Sequence, residues 1–137
     1  MTTLMLVLAL AGQTAASFAG AWTATLGNTT HVRLELQERG GVVTGRVSLG
    51  AVHVDKEGVV DEVLKPAVNF TPIFDVVVRE GVLSFARLDG NDTDRFELRV
   101  AGDALELRFL ADKDVLEELA QDGIAPPKPI RLTKIPR

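Results

Sequence analysis

The chain predicts an all-β fold: an antiparallel up-and-down meander of about eight strands closing into a small barrel. Three observations carry that expectation. Apolar residues recur with a period of two over most of the length, tight turns rich in Gly, Asn and Asp separate the alternating segments, and there is no cysteine. Alternation marks strands with one face to a core and one to water. Strands joined in sequence order leave an unpaired edge at each end, and closure removes both. Without disulfides, stability has to come from a hydrophobic core, and 137 residues accommodate one domain.

The first stretch stands apart. TLMLVLALAG (3–12) is apolar and QTAAS (13–17) supplies small residues, so residues 1–17 read as a secretory signal peptide ending at Ala15-Ala16-Ser17. Phe18 would then open a single β-barrel domain, 18–137, in a secreted or periplasmic protein. The run is shorter than the roughly 20 residues a membrane-spanning helix needs. MTT carries no Lys or Arg, so its only positive charge is the α-amino group.

From Phe18 the strands follow in order. AWTATL aligns Trp22, Ala24 and Leu26 on one face, and HVRLELQ aligns Val32, Leu34 and Leu36 against His31, Arg33 and Glu35. VVTGRVSL gives Val43, Val47 and Leu49; FDVVVR gives Phe74, Val76 and Val78; VLSFAR gives Leu83 and Phe85. RFELRV and ALELRF add Phe96, Leu98 and Val100, then Leu105, Leu107 and Phe109; IRLTKI (130–135) supplies the last strand. ERGG (38–41), REG (79–81), DGND (89–92) and AGD (101–103) hold the turn residues that positive φ requires. Residues 50–73 break the alternation, with one further strand expected around Val59 to Leu64. DKDVLEELAQDG predicts a short helix over about 114–122, capped by Asp114, striped by Val115, Leu116 and Leu119, and stopped by Gly123. Such a helix is expected to plug one barrel end or pack on the wall.

The series Gly20, Trp22 and Leu26, then Val43-Thr44-Gly45 with Val47, then Leu83-Ser84-Phe85, then Gly102-Asp103, resembles a diffuse group of bacterial secreted lipocalin-like (calycin-like) β-barrel domains. Their pattern is roughly G-x-W-x-G-x-L, L-T-G-x-V and L-S-F; here Ala24 stands where the group has glycine. The resemblance implies export and a lipocalin-like barrel. It carries no catalytic set, because every matched residue is a turn or core position.

Function is less legible. With 15 basic and 19 acidic residues the formal charge is −4, which disfavours DNA, RNA and anionic lipid as partners. The densest cluster of chemical groups is LDGNDTDRFEL (88–98). As an EF-hand loop from Asp89 it fails, since the sixth position is Asp94 rather than Gly and the twelfth is Val100 rather than Glu. A looser cation site on Asp89, Asp92 and Asp94 remains, opposed by the simpler reading of Asp-Gly-Asn-Asp as turn chemistry. No nucleophile elbow or triad can be assembled around His31, His53, Ser48 and Ser84, so a hydrolase or other enzyme is disfavoured and no cofactor is implied. By parity His31 faces water, while His53 lies two residues before Asp55.

A non-enzymatic binding or interaction domain is therefore expected, in one of two forms. In the first, the barrel holds a small apolar ligand against Trp22, Phe74, Phe85, Phe96 and Phe109, with Arg87 at the mouth facing a carboxylate. In the second, side chains fill the interior and the domain acts as a structural module or binds a protein partner. Arg33, Glu35, Arg95, Glu97, Arg99, Glu106 and Arg108 alternate in sign and are expected as outward cross-strand pairs.

Overall fold

Alternating sequence becomes alternating burial along most of the chain. The structure, a computed structural model, describes residues 15–136. The strands are β1 (Gly20–Leu26), β2 (Thr29–Arg39), β3 (Val42–Leu49), β4 (Ala51–Val54), β5 (Val60–Lys65) and β6 (Thr71–Pro72). They continue as β7 (Phe74–Arg79), β8 (Val82–Asp89), β9 (Asp92–Ala101) and β10 (Ala104–Phe109), then helix α1 (Lys113–Gln121) and β11 (Ile130–Lys134). Nine strands form one antiparallel sheet in the order β6-β3-β2-β1-β11-β10-β9-β8-β7. The first and last long strands are neighbours, and β3 approaches β7, so the meander curls into a nearly closed barrel. β4 and β5 stand outside it as a separate hairpin.

Two-residue turns set the registers. Gly40-Gly41 and Glu80-Gly81 have positive φ at both positions, as type I′ requires. Gly27, Gly90 and Gly102 have positive φ at the first position only, the type II′ pattern. The core is built from the inward faces: Trp22 on β1; Val32, Leu34 and Leu36 on β2; Val47 on β3; Leu83 and Phe85 on β8; Phe96 and Leu98 on β9; Leu105 and Leu107 on β10; Leu132 on β11. Phe85 and Phe96 are register partners and stack with ring centroids 5.1 Å apart. Each such side chain contributes roughly 1.5–3 kcal/mol of burial free energy, which is how a chain without cysteine holds together.

Gly45 explains one of the turn-and-core positions in the sequence pattern. A Cβ there would lie 2.0 Å from the Glu35 carbonyl oxygen, so β2 and β3 pack too closely for any side chain. The outward pairs follow the expected register, with Glu97 opposite Arg108 and Arg99 opposite Glu106.

Three features differ from the sequence expectation. The helix runs Lys113–Gln121 and its N-cap is Asp112, not Asp114; it closes on Gly123, whose N–H bonds to Ala120, with Ile124 bonding to Leu119, a Schellman end. None of its residues is buried, so it neither plugs the barrel nor packs firmly on its wall: Val115 and Leu116 remain 45% and 36% exposed. Residues 50–73, expected to hold one strand, hold β4, β5 and β6. Ala15 and Phe18, on either side of the expected cleavage point, both belong to the core, and the Trp22 indole N–H donates to the Phe18 carbonyl at 3.0 Å. Of the signal peptide expected over 1–17, residues 1–14 lie outside the described residues.

Candidate functional site

The barrel has two unlike ends. One carries the short turns at Gly40-Gly41, Glu80-Gly81 and Gly102-Asp103. The other, here the far end, carries both long excursions, residues 50–70 after β3 and 110–129 after β10. These excursions meet: the Ala125 N–H donates to the Lys56 carbonyl and the Lys128 N–H to that of Gly58, each at 2.9 Å. Any site built from loops therefore sits at the far end.

Of the residues expected to line an interior ligand site, the fold brings Phe85, Phe96 and Phe109 into contact and Trp22 into the same core, but sets Phe74 apart. Trp22, Phe85 and Phe96 are buried in the common core, packed against other side chains. Phe109 touches Phe96 edge-on at 5.4 Å but lies at the far end and is largely exposed. Phe74 is placed differently from the parity expectation. A register shift between Phe74 and Val77, where Asp75 takes φ 51°, sets Phe74 opposite Ala86 rather than on the face of Phe85. Arg87 does reach the far end of the interior, but the protein's own carboxylate occupies it: its Nε donates to Asp94 Oδ2 at 3.2 Å, and Nη2 stands 3.1 Å from the same oxygen in an ion pair.

That pairing also reorders the acidic hairpin. Asp94 turns toward Arg87, Asp89 stands 3.9 Å from the same guanidinium, and Asp92 pairs across the turn with Asp89. Among the described residues, no three His, Asp or Glu side chains converge as metal ligands would. Outside the barrel, His53 bonds Asp61 rather than Asp55: Nδ1 and Oδ1 are 2.6 Å apart on the exposed β4–β5 hairpin. The carboxylate beside it, first by hydrogen bond and then by charge, raises the His53 pKa above the ordinary histidine range.

His31 is where parity misleads. β1 and β2 slip by one residue between Ala24 and Thr25: Thr25 pairs with Thr30, Ala24 with Val32, and His31 is the extra residue. The bulge buries His31 and Val32 in succession, leaving His31 only 5% exposed. Burial pushes its pKa below the usual range, so the imidazole is neutral at pH 7. Its ring nitrogens have no hydrogen-bond partner among the described residues.

His31 lines a cleft of about 420 Å³ at the far end, between the end of β1, the start of β11 and the tip of the β4–β5 hairpin. Leu26, Val59, Val60 and Ile130 give it apolar walls, Thr25 and Thr133 bring hydroxyls, and its charged lining residues are Lys128 and Arg131, both cationic. A wider groove of about 1390 Å³ opens at the other end along β1 and β2, lined by charges of both signs, Glu35, Glu38, Arg39 and Lys134. It is larger, yet it selects no ligand class. The His31 cleft combines a nearly buried imidazole that no described residue hydrogen-bonds with apolar walls and a single sign of charge, and is the better candidate site.

Among the described residues no helix is long and apolar enough to cross a membrane. The chain matches no family model, curated protein or solved structure, so the fold and this cleft are what a functional reading has to work from.

Proposed function

We propose that this chain is a secreted or periplasmic, non-enzymatic binding domain whose barrel interior is filled and serves as a rigid scaffold for the far-end loops. The observation that carries the proposal is a contrast. The interior side chains Leu34, Leu83, Phe85, Leu98, Leu105 and Leu132 are at most 2% exposed, while the far end exposes Phe109, Leu110, Val115 and Leu116 and encloses the His31 cleft. Single exposed apolar residues are ordinary; several at the end of the barrel that also carries a cleft suit recognition. Export rests on the apolar run of residues 3–12 and the small residues after it.

Two measurements test this reading. Native and denaturing mass spectra of purified protein should give the same chain mass; an apolar molecule that leaves only on denaturation would establish a hollow carrier instead. Cell fractionation should find the protein outside the cytoplasm with a shortened N-terminus; a full-length cytoplasmic chain would overturn the export.

A further inference from the structure

We infer that the His31 cleft binds a small amphipathic carboxylate, its headgroup received by His31 and Lys128 and its short hydrocarbon body by Leu26 and Val59. This rests on the binding-domain reading and gives it a ligand class. The inference starts from His31. The side chain is 5% exposed and none of the described residues hydrogen-bonds its ring nitrogens. Those nitrogens are not sealed off as the Ser48 hydroxyl is, so a ligand in the cleft can hydrogen-bond the imidazole in place of water. A neutral imidazole keeps one N–H, and that N–H can donate to a carboxylate oxygen.

Charge then selects the sign of the ligand. The protein as a whole is acidic, at −4, yet the charged lining residues are Lys128 and Arg131. Arg131 lines the cleft with its stem, since its guanidinium lies 3.6 Å from Asp103, toward the opposite end of the barrel; Lys128 is the cation left to meet a headgroup. Lys128 stands on the loop that the Gly58 carbonyl fixes through a 2.9 Å backbone hydrogen bond, so its position follows from the contact between the two excursions. That contact is close: a Cβ on Gly58 would fall 2.3 Å from the Pro126 carbonyl oxygen. The apolar walls and the volume of about 420 Å³ set the body of the ligand: more than acetate, and of the size of a medium-chain acid.

The chain has two histidines, which makes the test direct. Full chain labelled at the imidazole carbons is titrated with sodium octanoate, and the two ring signals are assigned with His53→Gln. The His31 signal should move saturably while that of His53 stays in place. Acetate and octylamine at the same concentrations should each move it less than a tenth as far. The exposed double variant Lys128→Glu/Arg131→Glu should keep its melting temperature and weaken octanoate at least tenfold. An unmoved His31 signal, an equal response to octylamine, or undiminished affinity in the double variant would each overturn the site. Octanoate that instead shifts Phe85 and Phe96 signals would overturn this cleft and the filled barrel together, whereas no response at any residue would overturn the cleft and leave the scaffold reading to its own mass measurement.

Discussion

Replacing Gly45 by alanine tests the packing of the barrel wall at one atom. In an open strand the substitution would help, because glycine costs about 0.5–1 kcal/mol relative to alanine. Here the added Cβ would sit 2.0 Å from the Glu35 carbonyl oxygen and 2.9 Å from Leu36 Cδ2, whereas real Cβ atoms keep about 3.0 Å or more. The obstructing atom is backbone, so β2 and β3 have to part by about 1 Å at the Leu36–Gly45 pair. Overpacking costs about 1–3 kcal/mol, and each weakened ladder hydrogen bond adds about 1 kcal/mol. The expected loss is about 3–4 kcal/mol. For a domain of this size that lowers the melting temperature by roughly 10–15 °C in a thermal scan followed by circular dichroism. Gly41→Ala is the control: it has open space around the new Cβ but φ 84°, so it should cost only about 1–2 kcal/mol. A melting temperature for Gly45→Ala equal to or above that of the parent would refute the close-approach explanation.

Three further outcomes are expected. Ser48 is fully buried and its hydroxyl has no partner among the described residues, so Ser48→Ala should stabilise by about 1 kcal/mol, read as a rise in denaturation midpoint at unchanged slope. The two histidines should titrate in opposite directions by NMR. His53 is raised by Asp61, so its stabilising contribution is full below the unfolded-state value and fades as pH rises through the folded one; His31 is lowered by burial, so its contribution is full above the unfolded-state value and is lost as pH falls through the folded one. Asp61→Asn should bring His53 back down and leave His31 alone; a common midpoint for both rings would contradict the two environments. Finally, Val115→Ser with Leu116→Ser should change stability by no more than about 0.5 kcal/mol per site, because α1 buries no side chain; a large loss would mean the helix packs in solution.

The strands and turns were legible because a period of two and a glycine with positive φ are local facts. Gly40-Gly41 and Gly102-Asp103 fix turns wherever they occur, and the aliphatic faces then choose the inside. The bulge at His31 was recoverable too. A two-residue turn at Gly27-Asn28 would set Ala24 against His31 and Trp22 against Arg33; aligning Trp22 with Leu34 demands one extra residue, and the fold supplies it at His31. Parity alone, without that turn arithmetic, put the imidazole in water.

Other decisions belong to the tertiary structure. An unbulged β7–β8 hairpin would also satisfy the apolar pattern, so nothing local announces the shift at Asp75 that turns Phe74 to the face of Ala86; there Asp75 meets Arg95, 20 residues away, at 3.5 Å. The sign of Arg87's role was settled in the same way, since Asp94 reaches it only when the β8–β9 register brings the two together. The cleft is the furthest from the sequence: its walls come from segments around residues 25, 59 and 130, joined where two excursions exchange backbone hydrogen bonds. Periodicity decides which face of a strand is buried. Which distant segments come to share a site depends on closure of the whole sheet, and no window of the sequence contains it.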